Sequence, residues 1–136
     1  DLKNDYTNVS VILDGRRPID TGSTKVGSLI GDHTKTSIGT LLNTGAYVGA
    51  MAILAATGKP LPKYIPSFAW FIDGVVTKGF GKQALYNTAQ TAMGRRKRQF
   101  TPAQQAMWDA IYDMTAPQRE EAIRKGRRLQ TTGRTA

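Results

Sequence analysis

A parallel β-helix of six-residue repeats, followed by C-terminal helices, is the fold class the sequence predicts, and three observations carry that expectation. In steps of six from Ile30, the first position holds Ile30, Thr36, Leu42, Val48 and Leu54, aliphatic in four of five cases. The fifth position, Thr34, Thr40, Ala46, Ala52 and Gly58, is small throughout, and the second, Gly31, Ser37, Asn43, Gly49 and Ala55, is small or turn-favouring. Beyond Lys82 the period changes to the threes and fours of amphipathic helices. In a β-helix with roughly 18 residues per turn, the aliphatic residue points inward near a corner, the small one fits where walls converge, and Gly or Asn takes the bend. The alternative is an ordinary run of strands and turns that matches the period by chance.

Residues 1 to 58 hold eight glycines and turn signals at Asp14-Gly15, Thr21-Gly22, Gly31-Asp32 and Asn43-Thr44-Gly45. Val9, Val11 and Leu13 before Asp14-Gly15 predict a strand entering a hairpin or an inserted loop. Five hexads make fewer than two turns, and repeat proteins need about three repeats plus caps. The sequence therefore predicts that more coils precede Asp1 in a parent protein, or that neighbouring subunits and the C-terminal helices cover the open end. Pro60, Pro62 and Pro66, with Tyr64, Phe68, Trp70 and Phe71, predict a strap that packs apolar side chains on that end.

Leu85, Ala89, Ala92 and Met93 recur at helical spacing and predict a helix from Lys82 to Met93, with Gly94 as its cap. Thr101-Pro102-Ala103-Gln104 combines an N-cap threonine, a proline in the first turn and a glutamine placed for a capping box. Ala106, Met107, Ala110, Ile111 and Met114 continue that helix, with Trp108 and Tyr112 on the adjoining face. Thr115-Ala116-Pro117-Gln118 starts another, from Pro117 to Arg128, and Leu129 to Ala136 reads as a frayed basic tail. The domain division expected is 1–70, β-helix coils with the inserted hairpin or loop and the Pro-rich strap, and 71–136, the helical extension.

Composition bounds the chemistry. Nineteen Lys and Arg against ten Asp and Glu leave +9, of which +3 lies up to Gln90 and +6 after it. Such a balance points to an anionic partner: nucleic acid, a phosphorylated small molecule or an acidic surface. The absence of cysteine excludes a disulfide scaffold, a thiol nucleophile and Cys-ligated metal, and suits a reducing, cytoplasmic setting. With His33 the sole histidine, a multi-histidine metal site within one chain is excluded, and no metal is expected. Ala46 to Ala56, the longest apolar stretch, is too short to cross a bilayer, and Asp1-Leu2-Lys3-Asn4-Asp5 opens no signal peptide. Arg95-Arg96-Lys97-Arg98 could meet phosphates, but it also suits the negative end of a helix and a solvated surface, and no aromatic residue is interleaved to stack bases. Nucleic acid is therefore not the expected partner.

The stretch Lys25 to Gly49, KVGSLIGDHTKTSIGTLLNTGAYVG, resembles the left-handed β-helix of bacterial sugar-phosphate nucleotidyltransferases. Within that group it is similar to the C-terminal part of the bifunctional N-acetylglucosamine-1-phosphate uridyltransferase and glucosamine-1-phosphate acetyltransferase. The ordered blocks Gly31-Asp32-His33-Thr34-Lys35, Leu42-Asn43-Thr44-Gly45 and Pro62-Lys63-Tyr64-Ile65-Pro66-Ser67-Phe68 carry it, over roughly Asp1 to Trp70. The resemblance implies a homotrimer of left-handed β-helices and a nucleotide-binding domain upstream in the full-length protein. It also implies a sugar phosphate or nucleotide sugar as ligand, and acetyl-CoA as cofactor if acyl transfer is retained. No phosphate-cradling glycine loop is present, so the fragment is not expected to transfer nucleotides.

Individual residues follow from the resemblance. Lys25 resembles a lysine that contacts the sugar-phosphate ligand, and Asn4 and Tyr6 resemble an Asn-Tyr pair near the acyl acceptor, with Asp5 intervening. His33 stands where the family has an acidic residue, and the family's general-base histidine lies upstream. His33 beside Asp32 is nonetheless the one catalytic candidate, since a carboxylate orients an imidazole and raises its pKa; an exposed turn residue is the alternative. Ile38 occupies a place where a small polar residue is expected. Three functions remain open to this sequence: a β-helix region serving trimerisation and, if retained, acyl transfer, a trimeric scaffold without catalysis, and a basic nucleic-acid binder built on the helices from Thr101 and on Arg95 to Arg98.

Overall fold

A computed structural model describes residues 3–55 and 57–133 of the chain. The alternation Val9, Val11 followed by Asp14-Gly15 makes a hairpin: β1 (Ser10–Ile12) pairs antiparallel with β2 (Pro18–Asp20), Val11 opposite Ile19. The Asp14 carboxylate accepts the backbone N–H of Arg16 at 2.9 Å and of Arg17 at 3.1 Å, closing the turn as an Asx motif. Seven short strands follow: β3 (Leu29–Ile30), β4 (Lys35–Thr36), β5 (Tyr47–Val48), β6 (Ile53–Leu54), β7 (Tyr64–Ile65), β8 (Trp70–Ile72) and β9 (Val75–Thr77). They form a parallel three-stranded sheet in the order β3-β5-β7 and a four-stranded sheet in the order β4-β6-β8-β9, whose last pair is antiparallel. Parallel partners lie 18 residues apart in the first step, Leu29 with Tyr47 and Lys35 with Ile53, and 17 in the second, Tyr47 with Tyr64 and Ile53 with Trp70.

The left-handed parallel β-helix expected from the sequence is not what the chain forms. The described residues make a small mixed α/β arrangement of three helices and short strands in several sheets, two pairs of them antiparallel, with no closed or coiled parallel β-helix. The physical reason lies in the third side that a coil requires. Residues 37–46 form no strand, and between β6 and β7 the described residues form none either. The two stretches are joined by single contacts, the Leu61 N–H on the Leu41 carbonyl at 2.9 Å and the Asn43 amide on the Leu61 carbonyl at 3.0 Å. Pro60 and Pro62 remove donors there. Two positions expected to point inward, Ile30 and Leu42, are 47% and 38% exposed.

Two apolar clusters hold the chain. Val48, Ala52, Leu54, Leu61, Ile65, Ala69 and Phe71 make one. Met51, Phe68, Trp70, Leu85, Tyr86, Ala89 and Trp108 make the other, between the four-stranded sheet and the helices. The Pro-rich segment thus supplies both: Leu61, Ile65, Ala69 and Phe71 to the first, Phe68 and Trp70 to the second, at about 1.5–3 kcal/mol for each large side chain fully removed from water. Phe68 takes φ +58, costly for a bulky residue, and its ring meets Tyr86, Trp108 and Tyr112 edge-on at 6.4, 6.2 and 5.1 Å. That packing offsets the backbone cost.

α1 (Gly81–Gly94) buries Leu85, Tyr86 and Ala89 at helical spacing. α2 (Pro102–Met114) begins at a complete capping box, in which the Gln104 N–H donates to Thr101 Oγ1 at 3.2 Å and the Thr101 N–H donates to Gln104 Oε1 at 2.9 Å. Thr115 ends α2 and starts α3 (Ala116–Thr132). Because α3 continues to Thr132, residues Leu129 to Thr132 are helical where a frayed tail was expected; residues 134–136 lie outside the described residues. α3 rests on β9 through Gly126, where an added Cβ would meet the Val76 carbonyl oxygen at 2.4 Å. Among the described residues no helix is long and apolar enough to cross a membrane.

Candidate functional site

The four residues singled out by sequence lie apart. Asn4 is exposed in a turn, and Tyr6, 71% exposed at φ +55, donates its N–H to the Lys3 carbonyl at 3.1 Å. Lys25 is exposed beside Ser23, whose hydroxyl donates to the Lys25 carbonyl at 2.8 Å. His33 is half-buried at φ +60 with its ring edge-on to Trp108, centroids 5.7 Å apart. Among the described residues no hydrogen bond, ion pair or ring contact joins any two of the four.

Burial pushes the His33 imidazole below its usual range; the Lys35 ammonium adds to this, and Asp32 opposes it more weakly. No hydrogen bond links the Asp32 carboxylate to the ring among the described residues, so the oriented carboxylate–histidine pair considered from the sequence is not formed. Left-handed backbone and the Trp108 contact make His33 a turn residue wedged against α2.

A cleft of about 420 Å³ lies between the hairpin tip, the segment before β7, β9 and α3. Tyr64 lines it and stacks on Tyr47, ring centroids 5.5 Å apart and 8° from parallel. Burial first, then Tyr47 and Asp14, push the Tyr64 hydroxyl up to about 12. At neutral pH that hydroxyl is a hydrogen-bond donor and not a base. Asp14, Glu121, Lys63 and Lys125 line the same walls, and Gln118 Oε1 is buried there without a hydrogen-bond partner among the described residues.

The free edges of the two parallel sheets are the other conspicuous surface. Among the described residues β3 and β4 each pair on one side only. Around them Val26, Leu29, Ile30, Leu41 and Leu42 are exposed, and Ile38 is fully so. Val48 and Ile65, which continue the column of Ile30, are buried. The column therefore starts bare, although its inner members are in the core.

Sequence reasoning missed Arg119, which is buried on the inner face of α3. In a segment as charged as Arg119 to Arg128 an arginine reads as solvated; only its spacing of four from Thr115 hinted otherwise. It missed Gln118 and the role of Tyr64 for a related reason, since their neighbours come from distant parts of the chain. Among the described residues no group of three or more His, Cys, Asp or Glu is placed to hold a metal ion. No family model, no curated protein and no solved structure matches the chain.

Proposed function

We propose that this chain is an assembly module of a larger, cytoplasmic sugar-nucleotide transferase-like protein, holding copies together as a homotrimer. The observation that carries the assembly role is the apolar edge at β3 and β4, where Leu29, Ile30, Leu41 and Leu42 stay exposed beside unpaired strand backbone. Exposed edges of this kind invite pairing or burial against another chain. The order of three and the sugar-nucleotide setting rest on the resemblance of Lys25 to Gly49.

The proposal assigns one chain no acyl transfer and no acetyl-CoA site. Among the described residues no hydrogen bond, ion pair or ring contact joins any two of Asn4, Tyr6, Lys25 and His33, and His33 lacks an orienting acceptor. Light scattering on the 136-residue chain at micromolar concentration tests the reading. A mass three times that of the chain is expected, and a monomer across a hundredfold dilution would remove the assembly role.

A further inference from the structure

A second cleft, of about 360 Å³, lies between β4 and the last turns of α1, lined by Lys35, Asn87, Thr88, Thr91, Ala92 and Arg95. From this cleft we infer a binding site for a small phosphate-bearing ligand, held between the Lys35 ammonium and the Arg95 guanidinium. Lys35 belongs to β4, one of the two edge strands, but the cleft uses none of the exposed apolar residues of that edge and does not rest on the assembly reading.

Lys35 and Arg95 are 60 residues apart in sequence and reach one cleft only because β4 sits beside α1. Among the described residues no carboxylate lines it and none pairs with Lys35 or with Arg95, Arg96, Lys97 and Arg98; the ion pairs that the described residues make fall at Lys3, Arg16 and Lys82. Lys35 is held by its contact to the His33 carbonyl at 3.3 Å, a single bond that leaves the ammonium two further donors. Asn87 Oδ1 accepts from Gln83 Nε2 at 3.0 Å, which leaves the Asn87 NH₂ to donate. The Thr88 and Thr91 hydroxyls donate to the Ala84 and Asn87 carbonyls at 3.0 and 2.9 Å and retain acceptor capacity for a ligand hydroxyl.

The negative end of α1 works against an anion here, but three of its last carbonyls, those of Thr91, Met93 and Gly94, are occupied. Arg95 N–H donates to Thr91, Arg96 and Arg98 N–H to Met93, and Lys97 N–H to Gly94. Those bonds also fix the basic turn, with Lys97 at φ +55 in a conformation usually left to glycine. The volume falls within the about 300–1,000 Å³ of small-molecule sites. No aromatic ring lines the cleft, so base stacking, the usual anchor of a single-stranded nucleic acid, is lacking.

Calorimetric titration of the full chain with inorganic phosphate, glycerol 3-phosphate and a 20-nucleotide single strand tests the inference. Saturable one-to-one binding of a small probe is expected, at least tenfold weaker in Lys35→Ala and in Arg95→Ala, unchanged in Arg17→Ala, and partly restored by Arg95→Lys. Tighter binding of the ester than of phosphate would identify an esterified ligand, and equal binding a free oxyanion. Absence of binding by both small probes up to 10 mM, or equal affinity in all variants with unaltered melting, would overturn the site. Binding of the oligonucleotide alone, with a steep salt dependence from many phosphate contacts, would overturn it in favour of a nucleic-acid surface.

Discussion

The guanidinium of Arg119 lies 3.7 Å from the centre of the Tyr112 ring, so that a cation from α3 is stacked on an aromatic residue of α2 while only 5% of the arginine is exposed. The same group donates to the Tyr112 carbonyl at 3.0 Å, to Thr115 Oγ1 at 3.1 Å and to the Ser67 carbonyl at 3.5 Å. One side chain thus ties the α2–α3 junction to the segment entering β8. Removing it leaves three acceptors without that donor, Ser67 buried and Tyr112 and Thr115 partly so, which sets the expected cost at about 2–3 kcal/mol for Arg119→Ala. Arg119→Lys recovers only part, because an ammonium cannot stack flat and fork to several acceptors. Urea denaturation measures both, and an unchanged midpoint in the alanine variant would contradict this role.

The seat of α3 on β9 makes an opposite forecast for two glycines. Gly126→Ala gains about 1 kcal/mol of helix propensity but forces a Cβ to 2.4 Å from the Val76 carbonyl, and overpacking of about 1–3 kcal/mol outweighs the gain. Gly94→Ala, at the end of α1 with nothing within 4 Å of the added Cβ, is neutral or stabilising. Thermal melting of the pair checks the ranking; a stable Gly126→Ala would show that α3 does not need this close approach.

Tyrosine ionisation reports the 420 Å³ cleft. Of the five tyrosines, Tyr64 and Tyr86 are both shifted upward, Tyr86 by burial and by its bond to Asp109 at 2.8 Å. For Tyr64 the unfolded hydroxyl ionises near the ordinary 10.0 and the folded one at about 12. Folding favours the protonated form, so this contribution is complete below pH 10 and is lost as pH rises through about 12. In an absorbance titration near 295 nm, Tyr64→Phe should remove one of two late-ionising groups and weaken the alkaline loss of stability. A titration curve reduced only in its ordinary range would show that Tyr64 is not buried against Tyr47.

His33 gives the complementary acid prediction. Its folded pKa lies below the unfolded 6.5, so protonation favours unfolding, and stability falls as pH drops through 6.5 toward the lower folded value. His33→Asn keeps a side chain that tolerates φ +60 and removes the titration, so its urea midpoint should vary less than the parent's between pH 8 and 5. Equal pH dependence in the two proteins would place the titrating group elsewhere.

What the sequence made legible was local. The Thr101–Gln104 capping box is a relation between residues three apart, and it forms as read. The apolar spacing from Leu85 to Met93 likewise placed α1 within a residue of its observed ends. The six-residue spacing carried the 18-residue offset of the first step in both parallel ladders but misled about closure: small residues and prolines between the ladders make turns and loops, not a third set of strands. Arg119 meets Ser67 from 52 residues away, and Gln118 and Tyr64 likewise have neighbours from distant parts of the chain; no short-range pattern encodes such meetings. The family-derived residues suffer the same limit, since Lys25 and Asn4 can be matched in sequence without being brought to one place.

The assembly account rests on the bare edge, and sedimentation velocity of the parent chain beside Ile30→Lys and Leu42→Lys tests it most directly. Both side chains are already partly in water, 47% and 38% exposed, so the substitutions disturb the single chain little while placing a charge where another copy must pack. The account predicts a trimer for the parent at micromolar concentration and a folded monomer for each variant. A parent that sediments as a monomer, or variants that remain as associated as the parent, would contradict it.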